Sequence, residues 1–118
     1  MSRLSTLLAA GALALWPAAS AGAHSLLLAS SPGADAVMTA PAGVALRFNN
    51  RIEKKLSHIR LVPPRGEPQG LLLRTDGAVD VLDASLPSLT PGRYRVEWRV
   101  LSTDGHVVSG AFAFSVAP

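Results

Sequence analysis

The triplet Asp104-Gly105-His106 carries the most suggestive chemistry in the sequence. In an extended segment, side chains two positions apart project to the same side of the backbone, so the carboxylate and the imidazole can converge on one point. Gly105 leaves room between them for a close approach of a ligand. The spacing therefore predicts a shared ligand for Asp104 and His106. An ordinary Asp-Gly turn that leaves His106 exposed to solvent fits the same pattern.

His24 becomes a second candidate if the residues before it form a cleaved signal peptide. A basic residue, Arg3, lies near the start of the sequence and is followed by an apolar run over residues 4–15 and the small-x-small cleavage site Ala21-Gly22-Ala23. The apolar run is short for a membrane span, which needs roughly 20 residues, although an uncleaved anchor is the alternative. We expect residues 1–23 to be a signal peptide and residues 24–118 to be one exported domain.

Cleavage after Ala23 would give His24 two nitrogen donors, its free α-amine and its imidazole Nδ1, which together can chelate one metal ion. The reference pKa of such an amine is roughly 7.7–8.0, so a metal ion can displace its proton near neutral pH. With Asp104 and His106, the set becomes three nitrogens and one carboxylate oxygen. Such donors in a tetragonal arrangement suit Cu(II), and the divalent affinity order favours copper over zinc. A histidine left at this position by chance is the plain alternative.

The composition excludes several other classes of site. The sequence has no cysteine, so it offers no disulfide, no thiolate and no blue-copper centre. Met38 is the one methionine after residue 23, which leaves no methionine-rich Cu(I) site. The full chain has 11 Lys and Arg against 8 Asp and Glu, and no aromatic-rich basic stretch that would predict nucleic-acid binding. No nucleophile-elbow serine or phosphate-cradling glycine loop is present, and we expect no enzymatic activity.

The elements that position these residues are predicted to be strands. Turn residues recur at short intervals, which is typical of a β-sandwich or barrel. A period of two over residues 94–100 puts apolar residues on one face and an arginine-rich set on the other. About seven strands are expected, which matches a single immunoglobulin-like Greek-key β-sandwich. They are predicted at residues 26–29, 44–48, 59–61, 71–73, 79–82, 94–100 and 111–116, with at most one helical turn at 54–56.

Individual residues of these strands have predicted environments. Tyr94 follows a Pro-Gly turn, where a Greek-key tyrosine often hydrogen-bonds back to nearby backbone, although an ordinary buried aromatic fits equally well. Trp98 falls on the apolar face and is predicted to lie in the core. His58 is predicted to face solvent beside Arg60. The arginine face of the strand at 94–100 is most simply a solvated surface, and docking of a partner is the alternative.

Four stretches of the sequence, which cover most of residues 24–118, carry a resemblance to a known family. They are the start at 24–34, the strand at 41–49, the corner and strand at 89–96, and most specifically the segment from Trp98 to His106 followed by residues 110–114. In this order they resemble the CopC family of periplasmic Cu(II)-binding copper-resistance proteins.

The resemblance implies a fold, a site and a role. It implies an immunoglobulin-like sandwich, and the family's N-terminal histidine, aspartate and second histidine ligands fall on His24, Asp104 and His106. It also implies a periplasmic protein of copper resistance and homeostasis that passes Cu(II) to an inner-membrane transporter of the CopD kind. We expect the protein to be a monomer. Some members carry a methionine-rich Cu(I) site, which this sequence lacks.

Two other functions stay open from the sequence. One is a copper-dependent oxidase of the histidine-brace type, as in lytic polysaccharide monooxygenases. Against it, the chain is short and Asp104 would take a position that those enzymes keep open for oxygen. The other is a metal-free immunoglobulin-like interaction module whose histidines are incidental.

Overall fold

The computed structural model describes residues 26–118, so the predictions about the signal peptide and about His24 lie outside the described residues. No helix in the described segment is long and apolar enough to span a bilayer. Eight strands and one short 3-10 turn make up its regular structure. They are β1 (Leu27–Ser31), β2 (Val37–Met38), β3 (Gly43–Phe48), the 3-10 turn (Lys54–Leu56), β4 (His58–Val62), β5 (Gln69–Gly70), β6 (Val81–Ser85), β7 (Gly92–Leu101) and β8 (Val107–Val116).

The strands form two sheets, as the predicted sandwich requires. The smaller sheet has the order β1-β3-β6, and the larger has the order β2-β8-β7-β4-β5. All neighbours are antiparallel except β2, which runs parallel to β8. The long β7–β8 hairpin forms the centre of the larger sheet. The predicted all-β, immunoglobulin-like class is confirmed.

The core lies between the two sheets and is built from alternate residues of the strands, because successive side chains point to opposite faces. Trp98 packs on this inner side, with its ring centroid 6.4 Å from that of Phe48 and 6.0 Å from that of Phe112. Its predicted core position is confirmed, although the side chain is only partly buried. The largest fully buried residues are Phe48, Phe114, Leu46, Ile59, Leu82, Val44, Val96 and Val100.

The opposite face of the larger sheet is the predicted arginine-rich surface. Arg95 and Arg99 on β7 are exposed, and so are His58 and Arg60 on the neighbouring strand β4. The register pairs His58 with Arg99 and Arg60 with Glu97. The predicted solvent-facing orientation of His58 beside Arg60 is therefore confirmed.

One local prediction was wrong, and one strand was missed. A strand was expected at residues 71–73. The strand that pairs with β4 is instead β5, which begins two residues earlier, and the chain after it crosses to the smaller sheet. Leu73 forms a bridge with Ala84 of β6, and the amide of Arg74 donates to the carbonyl of Asp83 at 2.9 Å. The short strand β2 was not predicted. The crossing segment closes the side of the sandwich between β4 and β6.

Tyr94 forms the predicted corner. Its hydroxyl donates a 2.7 Å hydrogen bond to the backbone carbonyl of Thr90, and its ring stacks on Phe114 at a centroid distance of 5.7 Å. The ring therefore fills the core while the hydroxyl ties the turn before β7 to the strand.

Replacing Tyr94 with Phe keeps the ring and removes this hydrogen bond. Thr90 is exposed, so water partly replaces the lost partner of its carbonyl, and the loss is that of one ordinary hydrogen bond. We expect the free energy of unfolding to fall by about 1 kcal/mol, measured by urea denaturation. An unchanged midpoint would contradict a stabilising role for the corner.

Candidate metal centre

The predicted ligands Asp104 and His106 lie in the turn that joins β7 to β8. The amide of Ser102 donates to the carbonyl of His106, and the amide of Gly105 donates to the carbonyl of Ser102, both at 2.9 Å. Gly105 has a φ of 89°, a left-handed conformation that glycine adopts without the steric cost of a side chain. The tight turn therefore requires the glycine that separates the two candidate ligands.

The turn brings the two side chains together. Oδ1 of Asp104 lies 3.3 Å from Nδ1 of His106, and the same oxygen accepts a hydrogen bond of 3.1 Å from the His106 amide. The side chains are 40% and 54% exposed. Two donor atoms that are each about 2.0–2.2 Å from one metal ion lie roughly 3 Å apart when adjacent. The separation suits a shared ion, and it equally suits a direct contact between carboxylate and imidazole.

The base of the turn between β7 and β8 is hydrogen-bonded to residues 51–53, which precede the 3-10 turn. Ser102 is buried and forms a bridge with Ile52. The amide of Glu53 donates to the carbonyl of Leu101 at 2.9 Å, and the amide of Thr103 donates to the carbonyl of Arg51 at 3.3 Å. The backbone that carries Asp104 is therefore held in place on the side away from solvent.

The first described residue is anchored to the same region. The amide of Leu26 donates to Oδ1 of Asn49 at 2.7 Å, and the amide of Asn49 donates to the carbonyl of Leu26 at 3.0 Å. Arg51, which contacts the base of the turn, is only two residues further along the chain. His24 precedes Leu26 by two residues, a length of chain that extends over at most about 7 Å. Where its side chain lies is outside the described residues.

Sequence reasoning missed the role of Asn49. The pair Asn49-Asn50 suggested only a turn, because asparagine is common in turns. Its contact with Leu26 joins residues 23 positions apart, and no local pattern signals such a partner.

Residues 26–118 contain no group of three or more His, Cys, Asp or Glu side chains that could hold a metal ion. The described part of the chain thus brings together two of the predicted ligands, Asp104 and His106. The remaining donors of the predicted set are the amine and the ring of His24.

Comparison with known proteins adds independent findings. The family model described as the CopC domain matches residues 27–117. The protein YobA of Escherichia coli K12 is 35% identical over 101 residues, which cover 82% of each chain. Copper resistance protein C of Xanthomonas campestris pv. juglandis is 34% identical over 107 residues, or 83% of this chain and 84% of the relative. The crystal structure of CopC from Methylosinus trichosporium OB3b matches with a TM-score of 0.73 and 34% identity, over 80% of this chain and 95% of that one.

Proposed function

Because this chain belongs to the CopC family of copper-resistance proteins, we propose that its processed form binds one Cu(II) ion in the periplasm. The ligands are the α-amine and imidazole of His24, the carboxylate of Asp104 and the imidazole of His106. The ion is cargo: the protein holds it and passes it on, without catalysis. It acts as a monomer, and its recipient is an inner-membrane transporter of the CopD kind.

One observation supports Asp104 and His106 as ligands. Asp104 and His106 present a carboxylate oxygen and an imidazole nitrogen 3.3 Å apart at the end of an anchored hairpin. Asn49 holds Leu26, the first described residue, beside the segment that supports that hairpin. The donor chemistry of nitrogens and a carboxylate oxygen fits Cu(II), and no thiolate is available to favour Cu(I).

The exposure of the site supports binding and release. Roughly half of the surface of the His106 side chain is open to solvent, at 54%. A ligand set at the protein surface lets an acceptor approach the ion without opening the core. The same openness allows protons to compete for the nitrogen donors, since those donors must be deprotonated to bind metal.

The ligand set is tested by electron paramagnetic resonance of the processed protein with one equivalent of Cu(II). We expect an axial signal with hyperfine coupling from three nitrogen donors. Mass spectrometry of the same sample checks that the chain starts at His24. A spectrum of hydrated copper would overturn the proposal and leave an interaction module as the better interpretation.

Substitution at the hairpin should weaken copper binding without unfolding the protein. His106→Ala and Asp104→Ala each remove one donor from an exposed turn. We expect each to lower the affinity for Cu(II) by roughly tenfold to a hundredfold, about 1.4–2.8 kcal/mol, in a competition titration against a chelator.

His58→Ala is the matched control, because His58 is also exposed but lies on β4 within the arginine-rich face. Its affinity should equal that of the unaltered protein. Equal losses for His58→Ala and His106→Ala would point to nonspecific histidine binding and contradict the assigned site.

A further inference from the structure

A groove of about 940 Å³ runs over the exposed face of the larger sheet, between β8 and the segment that follows β5. Its lining contains five of the ten Lys and Arg of residues 24–118, and only one of the eight acidic residues. The remainder of residues 24–118, outside the groove lining, carries five basic and seven acidic residues. Positive charge is therefore concentrated in this groove, where the charged residues are Lys54, Lys55, Arg60, Arg95, Arg99 and Glu97.

The single acidic side chain neutralises only part of this charge. Glu97 accepts hydrogen bonds from Arg60 at 2.6 and 2.8 Å and from Arg95 at 3.0 Å. These bonds lower the pKa of the Glu97 carboxyl, so the group stays ionised. Hydrogen bonding from Arg60 has the larger effect, and that from Arg95 the smaller. Within residues 26–118, Lys55 and Arg99 form no ion pair. Two cations thus remain available to an incoming anion.

The groove also has an apolar component. Leu72, which follows β5, is 92% exposed on its rim. The small residues Ser109 and Ala111 of β8 leave space beside the arginine row, and Trp98 of β7 lies at the base of the groove with its ring on the inner side of the sheet. A ligand that fills the groove would therefore combine negative charge with apolar side chains.

We propose that this groove binds an extended, acidic segment of a partner protein. From Arg95 to Arg99 the strand rises about 13 Å, the length of four or five residues of extended chain. Carboxylates at alternate positions face Lys55 and Arg99, while the apolar positions between them contact Leu72. A bilayer surface is flat on this scale and cannot enter a recess, so the shape favours a peptide over anionic lipid.

The position of the groove gives it a role beyond the copper ligands. Arg99 pairs with His58 across β4 and β7 and precedes Asp104 by only five residues on the same hairpin. A partner that occupies the groove would therefore lie beside the end of the hairpin. The inference does not depend on which residues hold copper.

The test uses the fluorescence of Trp98 in the copper-free processed protein, residues 24–118. Trp98 is the one tryptophan of that segment, since the other of the two lies at position 16. The probe is a short, end-capped peptide of alternating glutamate and leucine, and its control replaces each glutamate with glutamine. We expect saturable binding of the acidic peptide that weakens as ionic strength rises, because salt screens exposed charges.

Two double variants distinguish the effect of where a charge is reversed from the effect of the change in net charge. Lys55→Glu with Arg99→Glu reverses charge in the groove, and Arg47→Glu with Arg65→Glu reverses the same charge on exposed residues outside it. We expect the groove variant to bind the acidic peptide at least roughly tenfold more weakly, and the control to change by less than about threefold. Lys55→Gln with Arg99→Gln gives a milder version if the reversal perturbs folding.

Several outcomes would overturn the proposal. These are equal losses in the two double variants, equal binding of the glutamine peptide, and no binding of the acidic peptide. Binding to phosphatidylglycerol vesicles without binding to the peptide would assign the surface to lipid. The molecular mass of the unliganded protein in solution could instead rise with its concentration. If the groove variant abolished that rise, the groove would be assigned to binding of a second copy of this chain. Cu(II) titration of each variant checks separately that the proposed copper site is intact.

Discussion

Extending the processed chain by one alanine before His24 is expected to weaken Cu(II) binding by roughly a hundredfold or more, about 3 kcal/mol. The added residue converts the α-amine of His24 into an amide nitrogen, whose lone pair is delocalised into the peptide bond. The chelate ring formed by the amine and the imidazole is then lost. The change removes one donor, as a side-chain substitution in the hairpin does, but it also breaks the chelate ring and leaves the imidazole of His24 as a ligand through one atom.

The measurement is a competition titration with a Cu(II) chelator, on proteins whose N-termini have been verified by mass spectrometry. An alanine added after Pro118 is the matched control, since it lengthens the chain equally at the other end. Both metal-free proteins should have the same Tm as the unaltered protein. Native affinity in the N-terminally extended protein would refute the amine ligand and, with it, the copper site as proposed.

Replacing Gly110 with Ala is expected to cost about 2–3 kcal/mol of the free energy of unfolding, a large share of the 5–15 kcal/mol typical of a domain. Gly110 pairs directly with Trp98 across β7 and β8. A Cβ at position 110 would overlap the indole, at 2.6 Å from Cη2 and 2.8 Å from Cε2. The ring must then leave its position beside Phe48 and Phe112, or the two central strands must separate.

Gly70→Ala is the matched control, because Gly70 also lies in a strand of the larger sheet but a Cβ there meets no atom within 4 Å. We expect its effect to stay within about 0.5 kcal/mol. Urea denaturation followed by circular dichroism measures both variants, and Trp98 fluorescence reports the displaced ring. Similar stability of the two variants would mean that the indole moves aside easily, contrary to the packing described above.

The sequence predicted those features that depend on neighbouring residues. Alternation over residues 94–100 identified both faces of β7, and the turn before Tyr94 suggested its bond to the backbone. The predicted convergence of Asp104 and His106 is present, but it arises from a tight turn at Gly105 that leaves His106 exposed, and not from the extended segment on which the prediction was based. Each of these signals lies within a few residues of the feature that it predicts.

Features that depend on residues distant in the sequence could not be predicted from local patterns. Residues 71–73 have the pattern of a strand, but their partners lie in both sheets. The amide of Leu71 donates to the carbonyl of Ile59 in the larger sheet, and Leu73 forms a bridge with Ala84 in the smaller one. The two-residue strand β2 is held by a parallel pairing with Ser115 and Val116, which leaves no periodicity to detect. The concentration of charge in the groove likewise arises only when β4, β7 and the 3-10 turn come together.

In the sequence, the residues of the proposed copper site adjoin strands of different sheets. His24 precedes β1 of the smaller sheet, whereas Asp104 and His106 lie between β7 and β8, the two longest strands of the larger one. An ion bound by all three residues would act as a cross-link between the sheets and would close a loop that contains most of the domain. In a chain without cysteine, bound copper would thus link the two sheets where no disulfide can, and it would stabilise the folded domain because the unfolded chain does not hold the three ligands together.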